Sequence, residues 1–86
     1  MTTKNDYSAL TKEWALNVLC DRITQKWPGI DIAKEREVIA KKSRASLLHS
    51  VGAQWYGDVN DVNEDLMKYA FGEMSDAEQR SIRDAG

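Results

Sequence analysis

The sequence predicts an all-α fold, a small helical bundle of three helices plus a short C-terminal fourth helix. Three stretches return apolar residues at steps of three and four, which is how one face of a 3.6-residue helix reads. No stretch sustains the apolar–polar alternation of a half-buried strand. The chain has 86 residues, enough for one small core, so residues 1–86 are expected to form a single helical domain with 1–7 as a flexible N-terminus.

The first helix is expected from about Ser8 to Lys26. Leu16, Leu19, Cys20, Ile23 and Trp27 share one face, and Leu10, Trp14 and Val18 form a second stripe. Asp6 or Ser8 is the expected N-cap, because either side chain can accept a free backbone N–H. Pro28-Gly29 stops the helix, since the proline ring pushes Trp27 toward extended geometry. A second helix opens at the N-cap candidate Asp31 and runs through Lys42, or as far as Gln54. Ile32, Ile39, Ala40, Ser43, Leu47 and Val51 keep one face throughout, and the serines around Lys42-Ser43-Arg44 leave room for a break.

Gly52 and Gly57 are the next stop signals, and Gly57–Asp61 reads as a turn-rich loop. A third helix is expected from Asn60 or Asp61, carrying Val62, Leu66, Tyr69 and Ala70 inward with Met67 and Phe71 beside them, and ending at Gly72. Ser75-Asp76-Ala77-Glu78 has the form of a capping box, and a short fourth helix over Asp76–Asp84 follows it.

Composition removes several function classes. Charged residues make up 30% and the hydrophobic set 42%, with one proline and one cysteine, which is neither a disordered nor a disulfide-stapled profile. The unpaired Cys20 and the absence of an apolar run longer than three residues point to a cytoplasmic protein with no membrane contact. A structural metal needs clustered ligands, and one histidine and one cysteine far apart do not supply them. The stretch Asp61-Val62-Asn63-Glu64-Asp65 resembles the start of a calcium loop, but Leu66 stands where the sharp turn needs glycine and Gly72 where a closing glutamate belongs. Gly52 and Gly57 have phosphate-loop spacing, yet Asp58 and Val59 replace the lysine and hydroxyl that would hold phosphate and magnesium. No cofactor is expected. Cys20 lies on an apolar stripe as a core thiol, His49 lies off its stripe as a solvated or partner-facing imidazole, and an enzyme is the least supported class.

Charge is unevenly spread. Residues 1–50 carry nine Lys/Arg against six Asp/Glu, whereas residues 51–86 carry three against eight. The basic share suggests an alternative nucleic-acid-binding or transcription-regulating role for the second helix through Lys34, Arg36, Lys41, Lys42 and Arg44. Glu35 and Glu37 offset it, and a helix-turn-helix alignment fails because Arg44 falls at the turn position that prefers glycine.

The acidic share surrounds large side chains of the kinds that dominate interfaces. The leading expectation is therefore a non-enzymatic regulator, inhibitor or assembly subunit that binds another protein, one with a basic surface. Its site is placed at Trp55, Tyr56, Asp58, Asp61, Glu64, Asp65, Met67 and Phe71. A homo-oligomer is also expected, because a second copy adds core to a chain this small.

Overall fold

The computed structural model describes residues 7–85, and among these all regular structure is helical. Five α-helices follow a short 3-10 turn at Tyr7–Ala9: α1 (Lys12–Lys26), α2 (Ile32–Ile39), α3 (Arg44–Gly52), α4 (Glu64–Glu73) and α5 (Asp76–Ala85). A second 3-10 turn, Val59–Asp61, lies between α3 and α4.

The caps explain the boundaries. Thr11 starts α1 by accepting the Trp14 N–H at 3.0 Å. The expected cap Ser8 instead lies in the 3-10 turn, and Asp6 lies outside the described residues. Of the stretch expected to be flexible, residues 1–6 are likewise outside the description. Tyr7 itself is packed, its ring 5.6 Å from that of Tyr69 and its carbonyl accepting from Arg44 at 2.9 Å. Helix α1 ends where Pro28 requires it to, and Asp31 caps α2 by accepting the Lys34 N–H.

The long second helix is in fact two. After Ile39 the chain turns at 40–43, and Ser43 adopts an extended conformation (ψ 162°) so that its hydroxyl accepts the Ser46 N–H at 3.1 Å. A serine competes for backbone donors in this way, and here the competition starts a new helix. The break also changes the phase. In one continuous helix Ala45 would face outward, but α3 buries Ala45, Leu47, Leu48, Val51 and Gly52. With Leu47 and Leu48 fully buried, α3 is the central element.

Around it, α1 contributes Ala15, Leu16, Leu19, Cys20 and Ile23, α2 contributes Ile39, and α4 contributes Leu66 and Ala70. Trp14 does not join this core. Leu10 and Val18 pack at its edge, while Trp14, on the same stripe, is exposed. Helix α4 starts later than expected, with Asn63 accepting the Leu66 N–H at 3.1 Å, so Val62 precedes the helix and is exposed. It also runs past Gly72 to Glu73, and Met74 is buried at its C-cap. The capping box is present as expected: Ser75 N–H donates to Glu78 Oε1 at 3.1 Å, and Glu78 N–H donates to Ser75 Oγ at 3.3 Å.

Helix α3 and the start of α4 are in close contact at Gly52. Asn63 N–H donates to the Gly52 carbonyl at 2.8 Å, and a Cβ on Gly52 would stand 3.0 Å from Met67 Cγ, 3.1 Å from Asn63 O and 3.1 Å from Met67 N. Two of those three atoms are backbone and cannot swing aside. Gly52→Ala is therefore expected to destabilise: overpacking of about 1–3 kcal/mol exceeds the roughly 0.5–1 kcal/mol that alanine gains in a helix. A melting midpoint equal to or above that of the wild type would contradict the close contact.

Helix α5 is attached mainly by polar contacts. Glu78 accepts from the Ser43 hydroxyl, and Gln79 Nε2 donates to the Phe71 carbonyl at 2.8 Å. The Ser43 hydroxyl, followed by the Ser75 backbone N–H, holds the Glu78 carboxyl below its ordinary 4.5. Its contribution is thus complete above pH 4.5 and is lost as pH falls through the lowered native value. Glu78→Gln should lower the urea midpoint at pH 7, and the loss should shrink steadily as pH is taken below 4.5. A loss that stays constant over that range would refute the linkage.

Candidate functional site

The C-terminus of α3 builds the most distinctive surface of the molecule. Gln54 N–H donates to Val51 O at 3.1 Å and Trp55 N–H to Ser50 O at 3.1 Å, the paired bonds of a Schellman cap. Such a cap places its C′ residue in the left-handed region, and Gln54 is there with φ 60°. A second turn follows at once. Gly57 N–H closes it on the Gln54 carbonyl at 2.9 Å, and its third residue, Tyr56, has φ 64°. Both are positions where glycine or asparagine is usual.

Other groups brace these two left-handed residues. Arg22, from α1, donates to the Val51 carbonyl at 3.2 Å and to the Trp55 carbonyl at 3.5 Å, and Gln54 Nε2 donates to the Asp61 carbonyl at 3.0 Å. Gly57 lets the Arg22 side chain pass, since a Cβ there would lie 3.3 Å from its Cδ and Nε. Burial pushes the Arg22 guanidinium below its ordinary pKa, and it remains a cation.

The result is a chain of exposed rings. Tyr56 meets Trp55 edge-on, with centroids 6.1 Å apart at 83°, and meets Trp27 with centroids 5.5 Å apart at 72°. Trp27 is 45% exposed, Tyr56 36% and Trp55 54%, so each ring keeps a third or more of its surface open to contact. Trp27 was expected in the core, on the stripe of Leu16 and Leu19. The turn before Pro28 instead swings it out of the α1 face and onto Tyr56. Trp27, Pro28, Ile30, Lys26, Glu35 and Tyr56 line an open bowl of ≈ 700 Å³.

The other expected site residues are elsewhere. Met67 covers Gly52 at the α3–α4 contact, and the Phe71 ring takes the Arg83 guanidinium of α5 at 5.7 Å, so both serve helix packing. Asp58 caps the Val59–Asp61 turn through the Asn60 N–H at 2.9 Å. Asp61, Glu64 and Asp65 line a separate shallow concavity at the start of α4, where negative charge favours the helix. Periodicity could not have found the Trp27–Tyr56–Trp55 cluster, because two of its members sit on turns.

Of the basic set, Lys34 and Lys41 are exposed on and just after α2. Lys42 reaches the groove between α3 and α5. Arg36 donates to Asn17 Oδ1 at 2.9 Å and lies 3.9 Å from Cys20 Sγ. Arg44 donates to the Leu10 and Tyr7 carbonyls at 2.7 and 2.9 Å and to the Tyr69 hydroxyl at 3.2 Å. The two arginines are thereby engaged within the fold.

His49 is half-buried in the α3–α5 groove with Trp55, Met74 and Glu78, and burial lowers its pKa below 6.5. No hydrogen bond joins it to Cys20 among the described residues. No group of three or more His, Cys, Asp or Glu is arranged to hold a metal among them, and no helix is long and apolar enough to cross a membrane. Comparison with protein-family models, with curated proteins and with solved structures finds no match to this chain.

Proposed function

We propose that this chain is a non-enzymatic cytoplasmic protein that acts by binding another protein, as a regulator, inhibitor or assembly subunit. Its recognition surface is the Trp27–Tyr56–Trp55 cluster, with the acids from Asp58 to Asp65 following the same turn. One observation carries the reading: large exposed rings sit on a backbone that holds two non-glycine residues in the left-handed region. Such conformations cost on the order of 1–3 kcal/mol each, and a turn that merely joined α3 to α4 would take glycine there. Burying an aromatic side chain in a partner returns roughly 1.5–3 kcal/mol, and tryptophan and tyrosine are the commonest interface anchors. The free, buried Cys20 fits a reducing compartment. The nucleic-acid alternative is weaker, because Arg36 and Arg44 already donate within the fold and only lysines remain for phosphates.

Tyr56→Gly separates binding from stability. It removes two edge-on ring contacts, each worth about 0.5–1.5 kcal/mol, and relieves a left-handed tyrosine at about 1–2 kcal/mol, so the melting midpoint should stay close to that of the wild type. In affinity recovery from source cells after nuclease treatment, the associated protein should fall at least tenfold with Tyr56→Gly and with Trp55→Ser. Undiminished recovery from both folded variants would overturn the proposed face.

A further inference from the structure

We infer that the partner seated on the Trp27–Tyr56 bowl is a second copy of this chain, joined across a twofold axis by exchanged Lys26–Glu35 ion pairs. The inference rests on the reading of this aromatic face as a binding surface and names its occupant.

The rim charges carry the argument. Lys26 and Glu35 both line the bowl, yet they do not pair with each other, since the only ion pair among the described residues joins Arg44 to Glu73. The Lys26 ammonium rests 5.5 Å from the centre of the Trp27 ring, and the carboxylate of the partly buried Glu35 has no hydrogen-bond partner among the described residues. An aromatic patch thus carries one unpaired charge of each sign. A strongly acidic partner would meet Glu35 with like charge, and a strongly basic one would meet Lys26. A second copy satisfies both, because a twofold interface sets each residue against its complement twice. The rings supply the apolar centre of such an interface and the two ion pairs its rim.

Charge reversal tests this without reference to any other partner. By sedimentation equilibrium the wild type should form dimers, and Lys26→Glu or Glu35→Lys alone should weaken self-association by about tenfold, each creating two like-charge contacts. An equimolar mixture of the two variants should form a heterodimer nearly as tight as the wild-type dimer, because both contacts then become complementary. The double variant should also recover. Circular dichroism checks that each variant is folded, and Glu35→Gln, which removes the charge without reversing it, should show a smaller loss.

A wild type that stays monomeric at millimolar concentration overturns the inference, as does a mixture no tighter than its components. If that monomer still loses a heterologous partner on Trp55→Ser, the aromatic face stands as a binding surface and only its occupant was wrong. If it loses none, both readings fall.

Discussion

The fold depends on how closely the start of α4 can approach the end of α3, and Gly52 sets that distance. Without a side chain at this point, Asn63 and Met67 lie directly against the α3 backbone, and the Gly52 carbonyl takes the Asn63 N–H as its partner. Asn63 is also the N-cap of α4, so one residue satisfies the end of one helix and the start of the next. At the other end of α3, Arg44 performs the complementary task. Its guanidinium gathers the Tyr7 and Leu10 carbonyls, the Tyr69 hydroxyl and, at 4.0 Å, the Glu73 carboxylate. A nine-residue helix is too short to be stable by itself, and α3 persists because both of its ends are fixed to other elements.

The same constraint leads to the aromatic surface. With the end of α3 held against α4, the chain must leave the helix within a few residues, and the Schellman cap at Gln54 is how it does so. The second turn follows at once, with Tyr56 in the left-handed region and Trp55 exposed. Arg22 reaches across from α1 to the carbonyls of Val51 and Trp55, tying the turn to the helix that carries Trp27. The ring cluster is therefore joined to the core through a small number of polar contacts and shares their rigidity.

Much of this architecture was legible in the sequence wherever a local signal has one physical meaning. Pro28 ends α1, Asp31 caps α2, and Ser75 with Glu78 forms the capping box of α5. Where a signal has two meanings the sequence leaves the structure open. Ser43 can sit in a helix or cap one, so the sequence leaves a break around Lys42-Ser43-Arg44 open, and the structure has it there. A 3.6-residue period shows which residues share a face but not whether that face is covered, so the stripe of Leu10, Trp14 and Val18 gives no sign that Trp14 is exposed. Gln54 and Tyr56 gave no warning of positive φ, because glycine announces such positions and they are not glycine. Of the expected site, Trp55 and Tyr56 are together and exposed, whereas Met67 and Phe71 pack between helices, a difference set by tertiary neighbours that no local pattern encodes.

The uneven charge distribution also changes meaning once the partners are known. Three arginines of the basic half, Arg22, Arg36 and Arg44, each donate to carbonyl or amide oxygens inside the fold, the geometry for which a planar guanidinium with several N–H groups is suited and an ammonium is not. They act as hydrogen-bonding crosslinks between segments distant in sequence, so their N–H groups are committed to the fold while their charge remains. On the acidic side, Asp58, Glu64 and Asp65 sit at turn or helix starts, where the backbone N–H groups favour negative charge. Lys26 and Glu35 are different in position: carrying opposite charge, both border the same aromatic bowl. The net charge of the whole chain says little about recognition here, and two opposite charges on one apolar rim say more.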